Sequence, residues 1–379
     1  MFNSWSKFSM KVKFVDLKQR YEEEKVELLE CVDKTLKKGM LILGDGLRDF
    51  EEEVESYTGT RHCIGLNSGT DALMMALWSC GITKDDEVIH PAISFIATTG
   101  AIVHVGATPI FAEVDIDGLI DTDKLETKIT QKTKAIMPVH WAGRICNMSK
   151  IIEICEKYKL VLIEDSAQAM GAYYGGTHGG RFGKASAFSC HPLKNLNALG
   201  DGGFLITDDD EVAKKVRLYR NHGIESRDNV TMFGVNSRLD TLNAEVLKFR
   251  LKRLESIIER RRLNVGLYKK YIKASCVCLP EENTKAGTSD AHVMCLAQVP
   301  DRDSLKNYLS KNGIETMIYY GTPLHLQKAT LKFGYKKGDF PVAEEICEKV
   351  LALPIHQHLT EDQIYYVADK INKFYSSSH

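Results

Sequence analysis

From residue 62 onward the chain alternates short apolar runs with helical segments, and this alternation limits the folds it can adopt. The apolar runs predict strands at 62–66, 87–90, 109–112, 135–139, 160–164, around 188 and at 203–207. The helical patterns between them lie at 70–80, 95–105 and 151–158. Alternating strands and helices with apolar strands are typical of a mostly parallel sheet covered by helices on both faces. The predicted fold class is therefore α/β.

The segments before and after this alternating region predict further helices and a second, smaller domain. Apolar residues at helical spacing indicate an amphipathic helix over 16–38 that ends at Gly39, and Phe50 begins a second helix whose run Glu51-Glu52-Glu53 we expect to face solvent. One long helix over 239–272 leads to a strand at 291–298 and helices at 303–311 and 342–351. We expect a large α/β domain over 1–250 and a smaller α+β domain over 251–379.

Composition excludes several classes of function. The chain has 379 residues with 50 basic and 51 acidic side chains, so no charge excess favours nucleic acid or an anionic membrane as partner. Its ten cysteines are scattered and show neither zinc-ligand spacing nor a disulfide framework, so no metal is expected. Residues 1–10 lack the pattern of a signal peptide, and no window of 18 apolar residues predicts a membrane span. These features favour a cytoplasmic protein.

The stretch 189–203 holds the residue with the clearest chemistry, Lys194, between a run of small residues and a glycine-rich turn. Burial in such a loop favours the neutral amine, which can condense with an aldehyde as pyridoxal phosphate enzymes require. A surface or ion-paired lysine is the alternative. Cys190 beside it is expected to be a buried filler rather than a reactive thiol.

Two further stretches could serve such a cofactor. Gly69 and Thr70 lie where a strand meets a helix, and free N–H groups at a helix start suit a phosphate, although a simple helix cap also fits. Asp165 ends an apolar strand, where a carboxylate can pair with a pyridinium nitrogen; an N-cap or an ion pair is the alternative. Gln168 could reach the cofactor's phenolic oxygen or be a surface amide.

The chain resembles the DegT/DnrJ/StrS-type sugar aminotransferases, which have the fold-type I scaffold of pyridoxal phosphate enzymes. The resemblance extends from Phe14 to Pro354, and its strength lies in the order and spacing of short motifs. These motifs are Gly44 with Phe50-Glu51, Ser68-Gly69-Thr70-Asp71-Ala72-Leu73, Gly106-Ala107-Thr108-Pro109, Glu164-Asp165-Ser166-Ala167-Gln168-Ala169, His191-Pro192 with Lys194-Asn195, Gly200-Asp201-Gly202-Gly203, Asn221-His222-Gly223, Gly234-Val235-Asn236-Ser237-Arg238 and Pro323-Leu324-His325.

The resemblance implies a role for each site residue. Lys194 would carry the cofactor and shuttle the proton, while Asp165 pairs with the pyridinium nitrogen and Gln168 approaches the ring hydroxyl. Gly69, Thr70 and Ser189 would hold the phosphate. Phe95 would stack on the ring face. Without the resemblance, an apolar residue at this position would be expected to pack in the core. Asn236 would reach the cofactor of a neighbouring subunit in a homodimer with shared sites. Arg238 and His325 are assigned to the substrate, and a salt bridge is the alternative for Arg238.

The implied reaction moves the amino group of L-glutamate to a nucleotide-linked keto-sugar, in amino-sugar and polysaccharide biosynthesis. Asp201 in Gly-Asp-Gly-Gly favours carbon 3 of the sugar over carbon 4. Three alternatives stand beside it. A sugar dehydratase on the same scaffold has histidine in place of Lys194, and a non-catalytic regulatory homologue would keep the scaffold alone. A Rossmann oxidoreductase lacks support because no G-x-G-x-x-G follows the first strand.

Overall fold

The computed structural model describes residues 10–281 and 286–376. Most of the region 1–10, in which no signal peptide is expected, lies outside the described residues. Eleven α-helices occur in the described part of the chain: α1 Leu17–Lys38, α2 Asp45–Thr58, α3 Gly69–Ser79, α4 Ile96–His104, α5 Met148–Tyr158, α6 Asp210–Tyr219, α7 Thr241–Leu251, α8 Leu254–Tyr271, α9 Arg302–Lys311, α10 Pro341–Lys349 and α11 Glu361–Ser376.

The strands of the described residues are short. They are β1 His62–Leu66, β2 Glu87–Pro91, β3 Thr108–Ala112, β4 Thr133–Ile136, β5 Val161–Asp165, β6 Tyr173–Tyr174, β7 Thr177–His178, β8 Ala185–Ser189, β9 Gly203–Thr207, β10 Ile224–Ser226, β11 Asn229–Val230, β12 Cys295–Gln298 and β13 Val350–Leu353.

The central sheet has seven strands in the order β1-β9-β8-β5-β4-β2-β3. Strand β9 runs antiparallel to its neighbours β1 and β8, and the other neighbouring pairs are parallel. Three separate two-stranded sheets pair β6 with β7, β10 with β11 and β12 with β13. The expected mostly parallel α/β sheet is confirmed.

Alternation along the strands builds a core on each face of the sheet. Phe204 and Ile89 pack in the first apolar cluster. Their chain neighbours Leu205 and Val88 pack in the second. Because successive side chains of a strand point to opposite faces, a continuous apolar run buries both. A third cluster joins Val12 to residues of α8, α9, α11, β12 and β13. The first cluster also takes in residues of α10 and β12, so the domain boundary at 250/251 stays a prediction.

Three local expectations are wrong. The predicted helix over 239–272 is broken at Lys252 and Arg253 into α7 and α8. The helix predicted over 342–351 stops at Lys349, because Val350 begins β13 and pairs with Gln298 of β12. Only Cys295–Gln298 of the strand predicted over 291–298 is extended in a ladder.

Glu51 also departs from expectation, since it is buried rather than solvated. Its carboxylate accepts hydrogen bonds from Arg217 Nη1 at 2.8 Å, from Arg220 Nη1 at 2.5 Å and from the backbone N–H of Gly65 at 2.8 Å. Three partners, from β1, from α6 and from the residue that follows α6, thereby compensate the cost of removing this charge from water. Glu51 therefore attaches α2 to β1, the strand that precedes α3.

Candidate active site

The loop that carries Lys194 is held closed by its own hydrogen bonds. The backbone N–H of Cys190 donates to Gly202 O at 2.8 Å, and the N–H of Ala198 donates to Cys190 O at 2.7 Å. The side-chain amide of Asn195 donates to Ala291 O at 2.8 Å, and that of Asn197 donates to Pro192 O at 2.6 Å. These bonds explain the asparagines around the lysine, which serve as internal braces of an irregular loop.

Lys194 reaches a cavity of about 380 Å³ at the carboxyl ends of β5 and β8. Burial lowers the pKa of the Lys194 ammonium to about 8, and the nearby carboxylate of Asp165 opposes that shift. A cavity of this size, largely apolar with a few converging polar groups, is typical of a small-molecule site. The interpretation of Lys194 as a surface lysine is therefore not supported.

Asp165 lies in the same cavity at the end of β5, where it is buried. Thr98 Oγ1 donates to Asp165 Oδ2 at 2.7 Å, and the N–H of Ala167 donates to Oδ1 at 3.2 Å. Since Thr98 uses its proton on Asp165, its 2.6 Å contact with Ser94 makes the Ser94 hydroxyl the donor. Burial raises the pKa of Asp165 despite these bonds, so a cationic ligand nitrogen would stabilise its carboxylate.

Gln168 is buried in the cavity wall, and its orientation is set by one backbone contact. The N–H of Ala142 donates to Gln168 Oε1 at 2.7 Å. With the oxygen engaged, the NH₂ group is the part left to serve a ligand. A donor at this position suits a phenolate oxygen, and the alternative of a surface amide is wrong.

The residues predicted to form an anion cradle lie where α3 begins. Ser68 caps the helix by accepting from Asp71 N–H at 3.1 Å, which leaves the N–H groups of Gly69 and Thr70 for a ligand. A Cβ on Gly69 would lie 2.7 Å from Ser189 Cβ, so only glycine lets the helix start approach β8 this closely. The helix cap is present, and the cradle stays a prediction that is compatible with it, because the cap and a bound anion would use different N–H groups.

Phe95 lies at the mouth of the cavity, where it is 55% exposed, so the expectation of core packing is wrong. Its ring centroid is 6.2 Å from that of Tyr320.

Cys190 is fully buried, and burial raises the pKa of its thiol, which confirms the expected filler. All ten cysteines are free thiols.

Three residues assigned from the resemblance do not line this cavity. Asn236 is exposed, and its neighbour Ser237 donates to Asp71 Oδ2 at 2.6 Å near the start of α3. Arg238 Nη1 donates to Asn221 Oδ1 at 3.0 Å. His325 is buried against Phe111 and Phe340 and contacts Glu344 at 3.1 Å, which is the environment of a core histidine.

Other lining residues had no role in the sequence-based prediction. Thr98 positions Asp165, while Tyr320, Arg261 and His356 come from the chain after α7. Arg261 belonged to the expected polar face of the long helix, and no local pattern marks it as buried. Phe14 and Val15 also reach the cavity from the start of the described chain.

These groups fit pyridoxal phosphate. The cradle at Gly69, Thr70 and Ser189 suits the phosphate, the buried carboxylate of Asp165 suits a protonated pyridine, and the amide of Gln168 suits the phenolic oxygen. Lys194 supplies the amine for the aldehyde.

No helix of the described residues is long and apolar enough to span a bilayer.

A profile of the DegT/DnrJ/EryC1/StrS aminotransferase family matches residues 22–372. A "pleiotropic regulatory protein" of Geobacillus stearothermophilus is 39% identical, over 97% of this chain and 99% of its own length. The dTDP-3-amino-3,6-dideoxy-alpha-D-galactopyranose transaminase of Aneurinibacillus thermoaerophilus is also 39% identical, over 96% and 99%.

Solved structures agree with the sequence matches. S. venezuelae DesV, solved with a ketimine intermediate, superposes with a TM-score of 0.93 at 36% identity, covering 96% of this chain and 98% of its own. The structure titled "Putative sugar aminotransferase Spr1654 from Streptococcus pneumoniae, PLP-form" has a TM-score of 0.88 at 26% identity, covering 93% of this chain and 96% of its own. The expected fold-type I scaffold and pyridoxal phosphate cofactor are confirmed.

Proposed function

Because the chain belongs to the DegT/DnrJ/EryC1/StrS aminotransferase family, we propose that it moves the amino group of L-glutamate to the keto group of a nucleotide-linked sugar. The observation that carries this proposal is the convergence of Lys194, Asp165 and the start of α3 on one cavity. The product would enter amino-sugar and polysaccharide biosynthesis. Ten free thiols favour a reducing compartment, which supports a cytoplasmic location.

Lys194 is the group that moves protons. With a pKa of about 8, its amine can accept a proton and return it near neutral pH, which is the range in which a general base is most effective. The bonds that close its loop restrict where Nζ can reach. Lysine rather than histidine at 194 also argues against the dehydratase alternative.

The other residues bind and orient. Pyridoxal phosphate, when bound, supplies an electron sink for the bond being broken at the donor's α-carbon. Asp165 would hold a proton on the ring nitrogen, and Thr98 holds Asp165 in place. Gln168 would donate to the phenolic oxygen, and Phe95 would cover one ring face. Gly69, Thr70 and Ser189 would anchor the phosphate.

Carbon 3 is the proposed position of the acceptor's keto group. Asp201 lines the cavity, as expected of a residue that could contact the sugar. The relative from Aneurinibacillus thermoaerophilus is named for a 3-amino sugar. The name of this relative supports carbon 3 over carbon 4, and the position of Asp201 is compatible with a contact to the sugar.

A homodimer with shared sites is also proposed. The run Met40–Leu43 is exposed, and Phe233, three residues before Asn236, is 99% exposed. Apolar side chains in such numbers on a surface favour an interface. Asn236 is exposed outside its own cavity, which supports its role at a cavity of the partner subunit.

The donor and acceptor can be tested in two stages. The loaded enzyme should be yellow and should lose this absorbance when L-glutamate is added. A panel of nucleotide keto-sugars should then include one that restores it, and nuclear magnetic resonance of the product identifies the aminated carbon. Lys194→Ala should abolish the change, whereas Lys184→Ala, whose side chain pairs with Asp209 outside the cavity, should retain it. Absorbance that no amino acid changes would favour the regulatory homologue.

Shared sites can be tested by complementation. Lys194→Ala and Asn236→Ala should each be inactive alone. Mixed and reassembled, they should recover up to about a quarter of wild-type activity, because hybrid dimers then contain one intact site. Two inactive variants that recover nothing, although hybrids form, would refute the shared site.

A further inference from the structure

Two exposed cysteines lie close together in the segment that follows α8. Cys276 and Cys278 are separated by one residue, whereas every other two of the ten cysteines are at least nine positions apart. Both are exposed, while the other eight are buried or partly buried. Neither lines the cavity around Lys194, and the proposed amine transfer gives them no role. They are the thiols that a reagent in solution reaches first.

Burial makes the other thiols poor nucleophiles. It raises the pKa to about 12 in four of them, which are Cys80, Cys155, Cys295 and Cys347. Because a cysteine reacts as its thiolate, these four are almost unreactive near neutral pH. Reaction with a disulfide in solution is therefore expected to concentrate on the exposed pair.

The backbone places the two exposed side chains on one face. Cys278 N–H donates to Gln298 O at 2.9 Å, and Gln298 N–H donates to Cys278 O at 2.8 Å, which joins Cys278 to the end of β12. Val277 packs against the third apolar cluster. Since successive side chains of an extended segment point to opposite faces, Cys276 and Cys278 share the face that Val277 does not occupy.

The spacing of the two cysteines allows a disulfide but strains it. Residues i and i+2 of an extended chain have Cα atoms about 6.6 Å apart, from a rise of about 3.3 Å per residue. Disulfides join Cα atoms that are about 4.4–6.8 Å apart, so this separation is near the upper limit. Strain and exposure both make a disulfide easier to reduce. A reversible bond is therefore expected here, and not a permanent cross-link.

The neighbours of the two sulfur atoms differ in charge. The hydrogen bond to Glu345 raises the pKa of Lys349, and the charge of a Cys278 thiolate adds to that shift. Burial raises the pKa of Tyr375, and the charge of a Cys276 thiolate adds to that shift. A cation thus lies beside Cys278 and a neutral phenol beside Cys276. Cys278 is the better placed of the two to react as a thiolate.

We propose that Cys276 and Cys278 form a reversible dithiol–disulfide pair that exchanges with low-molecular-weight disulfides. The Cys278 thiolate attacks one sulfur of such a disulfide, which breaks its S–S bond and releases one small thiol. The Cys276 thiolate then attacks the Cys278 sulfur of the mixed disulfide, forms the Cys276–Cys278 bond and releases the second small thiol. The two cysteines lose two protons and two electrons, and the small disulfide gains them.

The test uses oxidised glutathione as the probe, with peptide mapping by mass spectrometry on the loaded enzyme. In wild type, the peptide that holds both cysteines should lose two hydrogens at least about tenfold faster than any other cysteine is modified. Excess reduced glutathione should restore both thiols. Cys276→Ser should stop at a mixed disulfide on Cys278. Cys80→Ser is the matched control, because burial raises the pKa of that thiol to about 12, and it should behave as wild type.

Four results would overturn the inference. They are an unmodified pair, glutathione that accumulates on the pair without an internal bond, buried cysteines that oxidise equally fast, and an internal bond that excess reduced glutathione leaves intact. The wild-type map decides among these by itself, so a variant that does not fold leaves the conclusion unaffected. The response of the yellow absorbance to L-glutamate tests the proposed function separately, because neither cysteine lines the cavity.

Discussion

The lowered pKa of Lys194 leads to a direct prediction about the cofactor-free protein. An ordinary lysine has a pKa near 10.5, and burial lowers that of Lys194 to about 8. At pH 7 the neutral fraction of the amine is then about 9% instead of about 0.03%, a gain of roughly 300-fold. Because only the neutral amine is a nucleophile, Lys194 should react faster than an ordinary lysine by up to that factor, less any restriction of access.

Trace labelling with acetic anhydride, read by mass spectrometry against a reference lysine peptide, measures this reactivity. The rate at Lys194 should rise with pH and reach half its maximum near pH 8. Asp165→Asn should move this midpoint to lower pH, because the carboxylate of Asp165 stabilises the ammonium form. A midpoint near 10.5, or a shift in the opposite direction on removing the carboxylate, would refute the account of how burial acts on Lys194.

Three further predictions concern the elements around the cavity. Gly69→Ala places a Cβ 2.7 Å from Ser189 Cβ, so pyridoxal phosphate should bind about tenfold more weakly in a fluorescence titration, and unchanged affinity would contradict the cradle. Thr98→Val removes a hydrogen bond that lowers the pKa of Asp165, so the pKa of Asp165 should rise and the acid limb of the pH–rate profile should move to higher pH; an acid limb that stays in place or moves to lower pH would contradict this role. Glu51→Ala leaves two arginines without their carboxylate and should lower the free energy of unfolding in urea by about 3–5 kcal/mol, whereas exposed Glu52→Ala should change it by less than about 0.5 kcal/mol.

The sheet could be predicted because its strands are short, apolar and separated by helices. Each strand buries both faces, so composition alone marks its position to within a few residues. Glu51 could not be placed in this way. A run of three glutamates has the same local pattern whether or not Arg217 and Arg220, more than 160 positions away, fold against it. The break between α7 and α8 is equally hidden, since Lys252 and Arg253 are good helix formers.

The site was predictable where chemistry is concentrated in short stretches. Lys194, Asp165, Gln168 and the start of α3 fall at strand ends, and parallel strands bring such ends to one edge of the sheet. Arg261 was not predictable, because an arginine on a helix is exposed far more often than it is buried. The proposed contact of Asn236 lies in another subunit, and no pattern along a single chain indicates such a contact.

The exposed residues of helix α1 support the proposed assembly of two subunits. Its sequence predicts an amphipathic helix, yet Val26, Leu29 and Leu36 are 65%, 54% and 60% exposed, while Arg20 and Glu24 are buried. A helix that exposes its apolar stripe and buries its charges gains little hydrophobic stabilisation within one chain. A partner subunit covering that stripe would supply the missing stabilisation. Dilution that separates the subunits should therefore lower the melting temperature, and a melting temperature that does not depend on protein concentration would contradict this account.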